Sequence, residues 1–442
     1  MKLIKNGYVL TMNADKEIFE HGDVLVDGSV LKEIGQINEA DYPGAEVIDA
    51  EGKIVMPGLV NTHVHLNQQL GRGIADDVDL LTWLRERIWP YESNMTEEDV
   101  YVSALACCAE LIRSGVTTFA EAGGHGIDAM AKAITESGLR GILSRSTMDS
   151  GEGLPASWVE PTDVCLQKQV DHYHKWNNTV DGRIRYWFNI RTIFNATDEL
   201  LVETKKLADQ FNAGIHMHIA EIEDEVQLVK DTRGATTAEH LGNLGVLGKN
   251  LLSVHTVYMS ELELNLYQEH GVKVSHNPGA AMKVLGFPKI PEMLEKGICV
   301  AIGTDGAPAN NRMDMFQEMH LTSLIHKGRL ADPQVVPAYQ VLEMATRNGA
   351  QALLWEDEIG SLEVGKKADL IIVNPDDFGS LPLHNPVGNL VYSMSSSRVE
   401  SSMCNGQWVM KGRKLVHIDE NVLIEQMKKH GREIIERAGI VL

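Results

Sequence analysis

The chain has 442 residues, 43% hydrophobic and 23% charged, enough for a large core and more than one domain of an ordinary globular kind. Its 40 Lys and Arg against 62 Asp and Glu leave a formal charge of −22, which repels polyanions and argues against nucleic acid or an anionic membrane as partner. No apolar run reaches the roughly 20 residues of a membrane span. The first residues, MKLIKNGY, read as a strand and not as a signal peptide, so a cytoplasmic protein is expected. The cysteines (Cys107, Cys108, Cys165, Cys299 and Cys404) form no CxxC pair; they fit reduced thiols and are not expected to bind metal.

Residues 1–58 read as short strands over 2–12, 23–26, 30–37 and 45–48, with a hairpin at Asp27-Gly28. The run IVMPGLVNTHVH follows, and 55–61 reads as a buried strand. It ends in His63 and His65. Positions two apart share a face of a strand, about 7 Å apart at the backbone, a spacing that suits two ligands of one metal ion. From there short apolar strands alternate with longer amphipathic stretches. Strands are expected over 55–61, 117–122, 141–145, 184–190, 214–219, 251–255, 272–275 and 300–303. Helices are expected over 96–114, 126–137, 198–211, 260–270 and 337–348. Eight β/α units in about 290 residues predict an α/β fold of the (β/α)8 TIM-barrel type. After residue 355 strands return over 359–360, 368–373, 399–404 and 407–410, followed by a helix over 420–438. The economical division is a catalytic barrel over 59–354 and one small β-sandwich domain built from both chain ends, 1–58 and 355–442.

Three further strands end in chemistry-bearing groups: GIHMHIAE in His218 and Glu221, LLSVH in His255, and CVAIGTDG in Asp305. In a TIM barrel the C-terminal strand ends line one mouth, where active sites lie. All these side chains would converge there. His216 reads as a core histidine one layer deeper than His218. His276 lies at the mouth, near the metal or the substrate. His125, in GGHG, is open between pocket wall and plain loop. The acidic run 221–225 reads as a solvated helix start, favoured by the helix dipole, with Glu221 singled out.

The motifs PGLVNTHVH, HIAE, SVH, SHNP and GTDGA, in this order, resemble the amidohydrolase superfamily in its mononuclear aminohydrolase branch, over nearly the whole chain. GTDGAPANNRMDMFQEM is similar to the triazine hydrolase and methylthioadenosine/S-adenosylhomocysteine deaminase group. The resemblance implies one divalent metal ion on His63, His65, His218 and Asp305. Zinc suits that set, and iron or manganese could occupy the same ligands. It implies that His255 bonds the activated water, that Glu221 shuttles the proton, and that Asp305 helps move a second one. Binuclear relatives carry a carboxylated lysine on strand 4; 183–191 holds none, so a single ion is expected.

The implied reaction is hydrolytic deamination of an amino-substituted N-heterocycle. Trp83 and Glu92 match an aromatic wall and a ribose-binding carboxylate. Arg145 matches an arginine that pairs with the amino-acid carboxylate of S-adenosylhomocysteine. Gln68 and Arg191 resemble guanine deaminases instead. Arg offers forked donors to a carbonyl, and Gln both donates and accepts, so an oxo group beside an amine could be read. Guanine, pterin or triazine substrates, including dechlorination, therefore stand as alternatives, with a non-catalytic barrel scaffold a distant one. A homo-oligomer is compatible with the resemblance.

Overall fold

The computed structural model describes residues 1–441, leaving aside the Leu81 side chain. Gly58 divides the apolar run in which a single strand over 55–61 is expected. A Cβ there would lie 2.1 Å from Thr117 Oγ1, so no larger residue fits the junction. The strand before it, Ile54–Pro57, pairs parallel with Lys2–Leu10 and antiparallel with Leu370–Val373. The strand after it, Leu59–Val64, pairs with Val116–Glu121 and opens the barrel. One short run thus belongs to two sheets.

The first sheet has nine strands drawn from both chain ends, with Val399–Cys404, Gln407–Lys411 and Lys414–Leu415 at one side and Ile18–Asp27 and Val30–Gly35 at the other. Lys2 Nζ donates to Gly406 O at 2.8 Å. In a flat sheet those strands would be roughly 14 Å apart, at about 4.8 Å per strand. The sheet therefore curls, and Ile4, Val24, Val26, Ile372, Met403 and Trp408 form one cluster inside the curl. Both layers of the small β unit come from this one continuous sheet.

The barrel strands, in order, are Leu59–Val64, Val116–Glu121, Arg140–Leu143, a fourth in two pieces (Ile184–Tyr186 and Phe188–Ile190), Ile215–Ile219, Leu251–His255, Lys273–His276 and Val300–Ile302. All neighbours run parallel. The eighth strand closes on the first, where Thr304 N and Asp305 N donate to His63 O at 3.1 and 2.9 Å. The interior is filled by Val60, Ala120, Ile142, Trp187, Leu252 and Ala301, with Leu353 and Trp355 in the same cluster. The larger core lies between strands and outer helices.

Four expected helices are present within a residue or two: Glu97–Arg113, Ile127–Ser137, Asp198–Gln210 and Glu261–His270. The helix expected over 337–348 is two, Ala338–Ala345 and Arg347–Ala352, broken at Thr346, whose φ of −130° and ψ of −93° are not helical. Residues 359–360 form a bend, not a strand. The C-terminal helix, Glu420–Ala438, packs on the barrel helix Glu97–Arg113, where His430 Nδ1 lies 2.7 Å from Asp99 Oδ1 and Arg437 pairs with the same carboxylate.

Barrel and sheet are joined by a buried ion pair. Arg140, at the start of the third barrel strand, is fully buried and sets Nε 3.0 Å from Asp369 Oδ2 and Nη2 3.3 Å from Oδ1. Asn405 N also donates to Asp369 Oδ1, at 2.7 Å. The Asp369 charge raises the Arg140 pKa against the opposing effect of burial. Removing one partner of such a pair leaves a buried charge uncompensated. Asp369→Ala is therefore expected to destabilise the protein by about 3–5 kcal/mol in urea unfolding. The joint change Arg140→Met with Asp369→Asn keeps an acceptor for Asn405 and is expected to recover most of that loss.

Candidate active site

A β-bulge aims the first two histidines. Register in the first barrel strand shifts between Asn61 and Val64. Before it, Val60 faces the barrel interior and Leu59 the helices; beyond it, Val64 faces the helices. His63 thereby faces inward, as does His65, two residues on. Asn61 props the bulge: its Oδ1 accepts from His63 N at 3.2 Å and Thr304 N at 3.1 Å. His218 comes from the fifth strand, His255 from the end of the sixth, and Asp305 from the turn after the eighth.

These groups meet. His63 Nε2 and His65 Nε2 each lie 3.5 Å from Asp305 Oδ1. The His63 ring centroid is 4.9 Å from that of His218. His63, His65 and Asp305 form one set of possible ligands, and His63, His218 and His255 another, with donor atoms inside each set within 4.8 Å of one another. Donors around one tetrahedral ion at about 2.1 Å lie about 3.4 Å apart, so the spacing fits a shared divalent cation. His63 Nε2 is buried and has no hydrogen-bond partner among the described residues, as befits a nitrogen reserved for a ligand.

The far nitrogens are held from behind. His63 Nδ1 pairs with His216 Nε2 at 2.9 Å, and His218 Nδ1 donates to Arg191 O at 2.8 Å. Such contacts fix the ring and tautomer of a metal-binding histidine. Burial, reinforced by neighbouring positive groups, pushes His63, His65 and His218 well below the usual imidazole range, so they stay neutral as ligands must. Burial raises Asp305. Burial, then the Asp305 and Glu225 charges, push Glu221 up to about 8. Glu221 Oε1 lies 3.5 Å from His255 Nε2.

Ala220, His255, Thr256 and Asp305 all have positive φ, between 51° and 73°. Each such non-glycine residue costs of order 1 kcal/mol, and these four lie where side chains are turned over the mouth.

A cavity of about 580 Å³ opens above the cluster, walled by His65, Trp83, Glu92, Arg191, His218, Glu221, His255 and Asp305 together with Met148, Phe194 and Trp158. Two residues expected to contact the substrate do not line it. Gln68 is buried and spends its Nε2 on Glu92 Oε1 at 2.9 Å, beside Asn67 Nδ2 at 3.2 Å on the same oxygen. Arg145 is paired with Glu160 at 2.6 Å, a carboxylate that Lys168 also contacts. Among the described residues neither Gln68 nor Arg145 lines the cavity. Arg191 does, with Nη1 donating to Gly123 O at 3.1 Å and lying 3.4 Å from His65 Nδ1.

Three further histidines find places. His216 supports His63, which strand alternation hinted at by putting it beneath His218. His276 packs against His326, with Nε2 atoms 3.2 Å apart. His125 stacks on Trp158 at 4.5 Å, behind the cavity wall. Asn277, whose Nδ2 donates to His255 Nδ1 at 3.3 Å, was not singled out from the sequence, although it stands beside His276 in the SHNP motif.

Comparison with known proteins agrees with the geometry. The chain is 37% identical to a 5′-deoxyadenosine deaminase of Methanobrevibacter smithii, covering 98% of each chain. It is 36% identical to a 5-methylthioadenosine/S-adenosylhomocysteine deaminase of Thermoanaerobacter pseudethanolicus, over 98% of this chain and 99% of that one. An adenosine deaminase from Xanthomonas campestris with bound zinc superposes with a TM-score of 0.93 at 29% identity, over 98% of both chains. An atrazine chlorohydrolase from Arthrobacter aurescens, complexed with zinc, superposes at 0.91 and 25% identity, over 98% of this chain and 100% of that one. The amidohydrolase family model matches residues 54–409, and with relatives this similar along their whole length the chain belongs to the amidohydrolase family.

Proposed function

We propose that this chain is a zinc-dependent hydrolytic deaminase of adenosines modified at the 5′ position, replacing the exocyclic amine by an oxo group and releasing ammonia. The observation that carries this is one cavity holding both halves of the task. Its floor has the His63, His65, His218 and Asp305 donors with Glu221 beside them; its wall has Trp83 and Glu92. The relatives named as 5′-deoxyadenosine and methylthioadenosine deaminases support the substrate class.

His63, His65, His218 and Asp305 would hold the ion, and three imidazoles with one carboxylate favour zinc. When bound, the ion supplies Lewis-acid activation of a water molecule. Glu221 takes the proton that water loses and delivers it to the ring nitrogen next to the carbon under attack. Burial favours its neutral form, which offsets the pull of the nearby cation and lets it accept and return a proton. Asp305 assists the second proton on its way to the departing amine. Asn277 Nδ2 donates to His255 Nδ1, so the neutral ring carries its proton on Nε2. That nitrogen faces Glu221 and Asp305, at 3.5 and 3.9 Å, and can donate to the oxygen that develops charge. Trp83 offers its ring to the purine. Glu92, with Oε1 occupied by two amides, keeps Oε2 for ribose hydroxyls.

Where Gln68 and Arg145 lie bears on the substrate. Gln68 is buried and does not line the cavity, which weighs against a guanine or pterin edge. Arg145 is paired with Glu160 and does not line the cavity, which weighs against its holding the amino-acid carboxylate of S-adenosylhomocysteine. Loss of one charge-assisted contact corresponds to about 10-fold or more. 5′-Deoxyadenosine and methylthioadenosine are therefore expected to exceed S-adenosylhomocysteine and guanine in kcat/KM by at least that factor, measured as ammonia release. Glu221→Gln is expected to lower kcat by ~100- to 10,000-fold with zinc content unchanged. His218→Ala, or chelation, is expected to remove both zinc and turnover, with turnover restored to the chelated enzyme by added zinc.

A further inference from the structure

We infer that Glu225 is a positioning residue that sets Glu221 for proton transfer; the inference rests on the role proposed for Glu221. In the acidic run 221–225, Glu223 and Asp224 are exposed, as a solvated helix start requires, but Glu225 is buried, at 1% exposure. Its two oxygens are both used on the turn that carries Glu221. Oε1 accepts from Ala220 N at 2.8 Å, and Oε2 accepts from Glu221 N at 3.0 Å.

This is not the usual task of a glutamate in the first turn of a helix. The helix runs Glu223–Arg233 after an N-cap at Ile222, so a capping box would place the third residue's carboxylate on Ile222 N. Glu225 reaches past that position to two earlier N–H groups. The turn they belong to is strained: Ala220 has a φ of +51°. From its other side, Ala220 O accepts from Val257 N and Tyr258 N, both at 3.0 Å, in the segment just after His255. The turn is gripped between a carboxylate and the loop of the neighbouring strand. Two successive N–H groups aimed at one point form an anion-binding concavity, and the carboxylate fills it with two acceptors. An amide offers one acceptor and one donor, so a glutamine there would set an N–H against an N–H.

Glu225→Gln tests this in the zinc-loaded enzyme. Supporting groups of this kind are worth about 10- to 100-fold, so kcat for 5′-deoxyadenosine is expected to fall by that factor with KM nearly unchanged. Zinc content is expected to stay at the wild-type value, and amide hydrogen exchange of the peptide carrying Ala220 and Glu221 is expected to quicken. In a Glu221→Gln background the same substitution is expected to have no further effect on kcat, because it acts through Glu221. Should Glu225→Gln fold poorly, Glu225→Asp keeps both oxygens on a shorter stem and is expected to show a smaller loss in kcat with the same sparing of KM. A kcat within about two-fold of wild type, or an equal loss in both backgrounds, would overturn the inference. Full turnover by Glu221→Gln alone would instead sink the proposed role of Glu221 itself, so the two failures are distinguishable.

Discussion

A histidine presents one chosen nitrogen to a cluster only when its other nitrogen is engaged. Everything at the mouth of this barrel depends on that constraint. His63 is backed by His216, His218 by the Arg191 carbonyl, and His255 by Asn277. The supports of His218 and His255 come from the turn that leaves a neighbouring strand, and that of His63 from the fifth strand across the barrel, so the barrel's closure and the aim of its rings are one arrangement. Asn61 extends this to the backbone, holding the bulge that turns His63 inward and the start of the turn that carries Asp305.

A second pattern reinforces the first. Buried carboxylates brace the loops that leave the strands. Glu121 accepts from Leu66 N at 2.7 Å, just past His65; Glu225 accepts from Ala220 and Glu221; Glu318 accepts from Gly279 N at 2.9 Å, past His276. Burial raises all three, to about 8, 7 and 8. Neutral N–H groups are modest donors, and an acid that gains only such partners (Glu318 adds the Asn310 amide, at 2.9 Å) is not held in its charged form as firmly as one facing a guanidinium. Loop geometry here is secured at the expense of easily ionised side chains.

Much of this was legible in the sequence, for a physical reason. Apolar β-branched runs mark buried strands, and a histidine or aspartate at the end of such a run falls at the barrel mouth whatever its partners are. That located His63, His65, His218, His255 and Asp305. What pattern could not show were choices between partners. Gln68 and Arg191 look alike as polar readers of a substrate, yet Gln68 finds Glu92 and Arg191 faces the cavity; nothing local in sequence distinguishes them. Arg145 meets Glu160 only because the loop between them folds back. The helix Met315–Leu330 lacked a clear signal because its buried face includes Glu318, Thr322, Ser323 and His326. Gly58 hid a change of sheet inside a continuous apolar run, since hydrophobicity is the same on both sides of it. His63 faces inward only through a bulge, which simple alternation from Val60 would miss.

The split at Gly58 also bears on how the chain is made. Ile54–Pro57 is made long before one of its two flanking strands, Leu370–Val373. Arg140 likewise waits for Asp369 before its charge is neutralised. Through most of translation the nascent polypeptide carries a naked sheet edge of four apolar-rich residues and an unmatched guanidinium at the base of an unfinished barrel. Exposed edges of that kind invite intermolecular pairing, and contacts so distant along the chain form late. The joint that unites the finished enzyme is thus also a vulnerable point during biosynthesis, where chaperone shielding would matter.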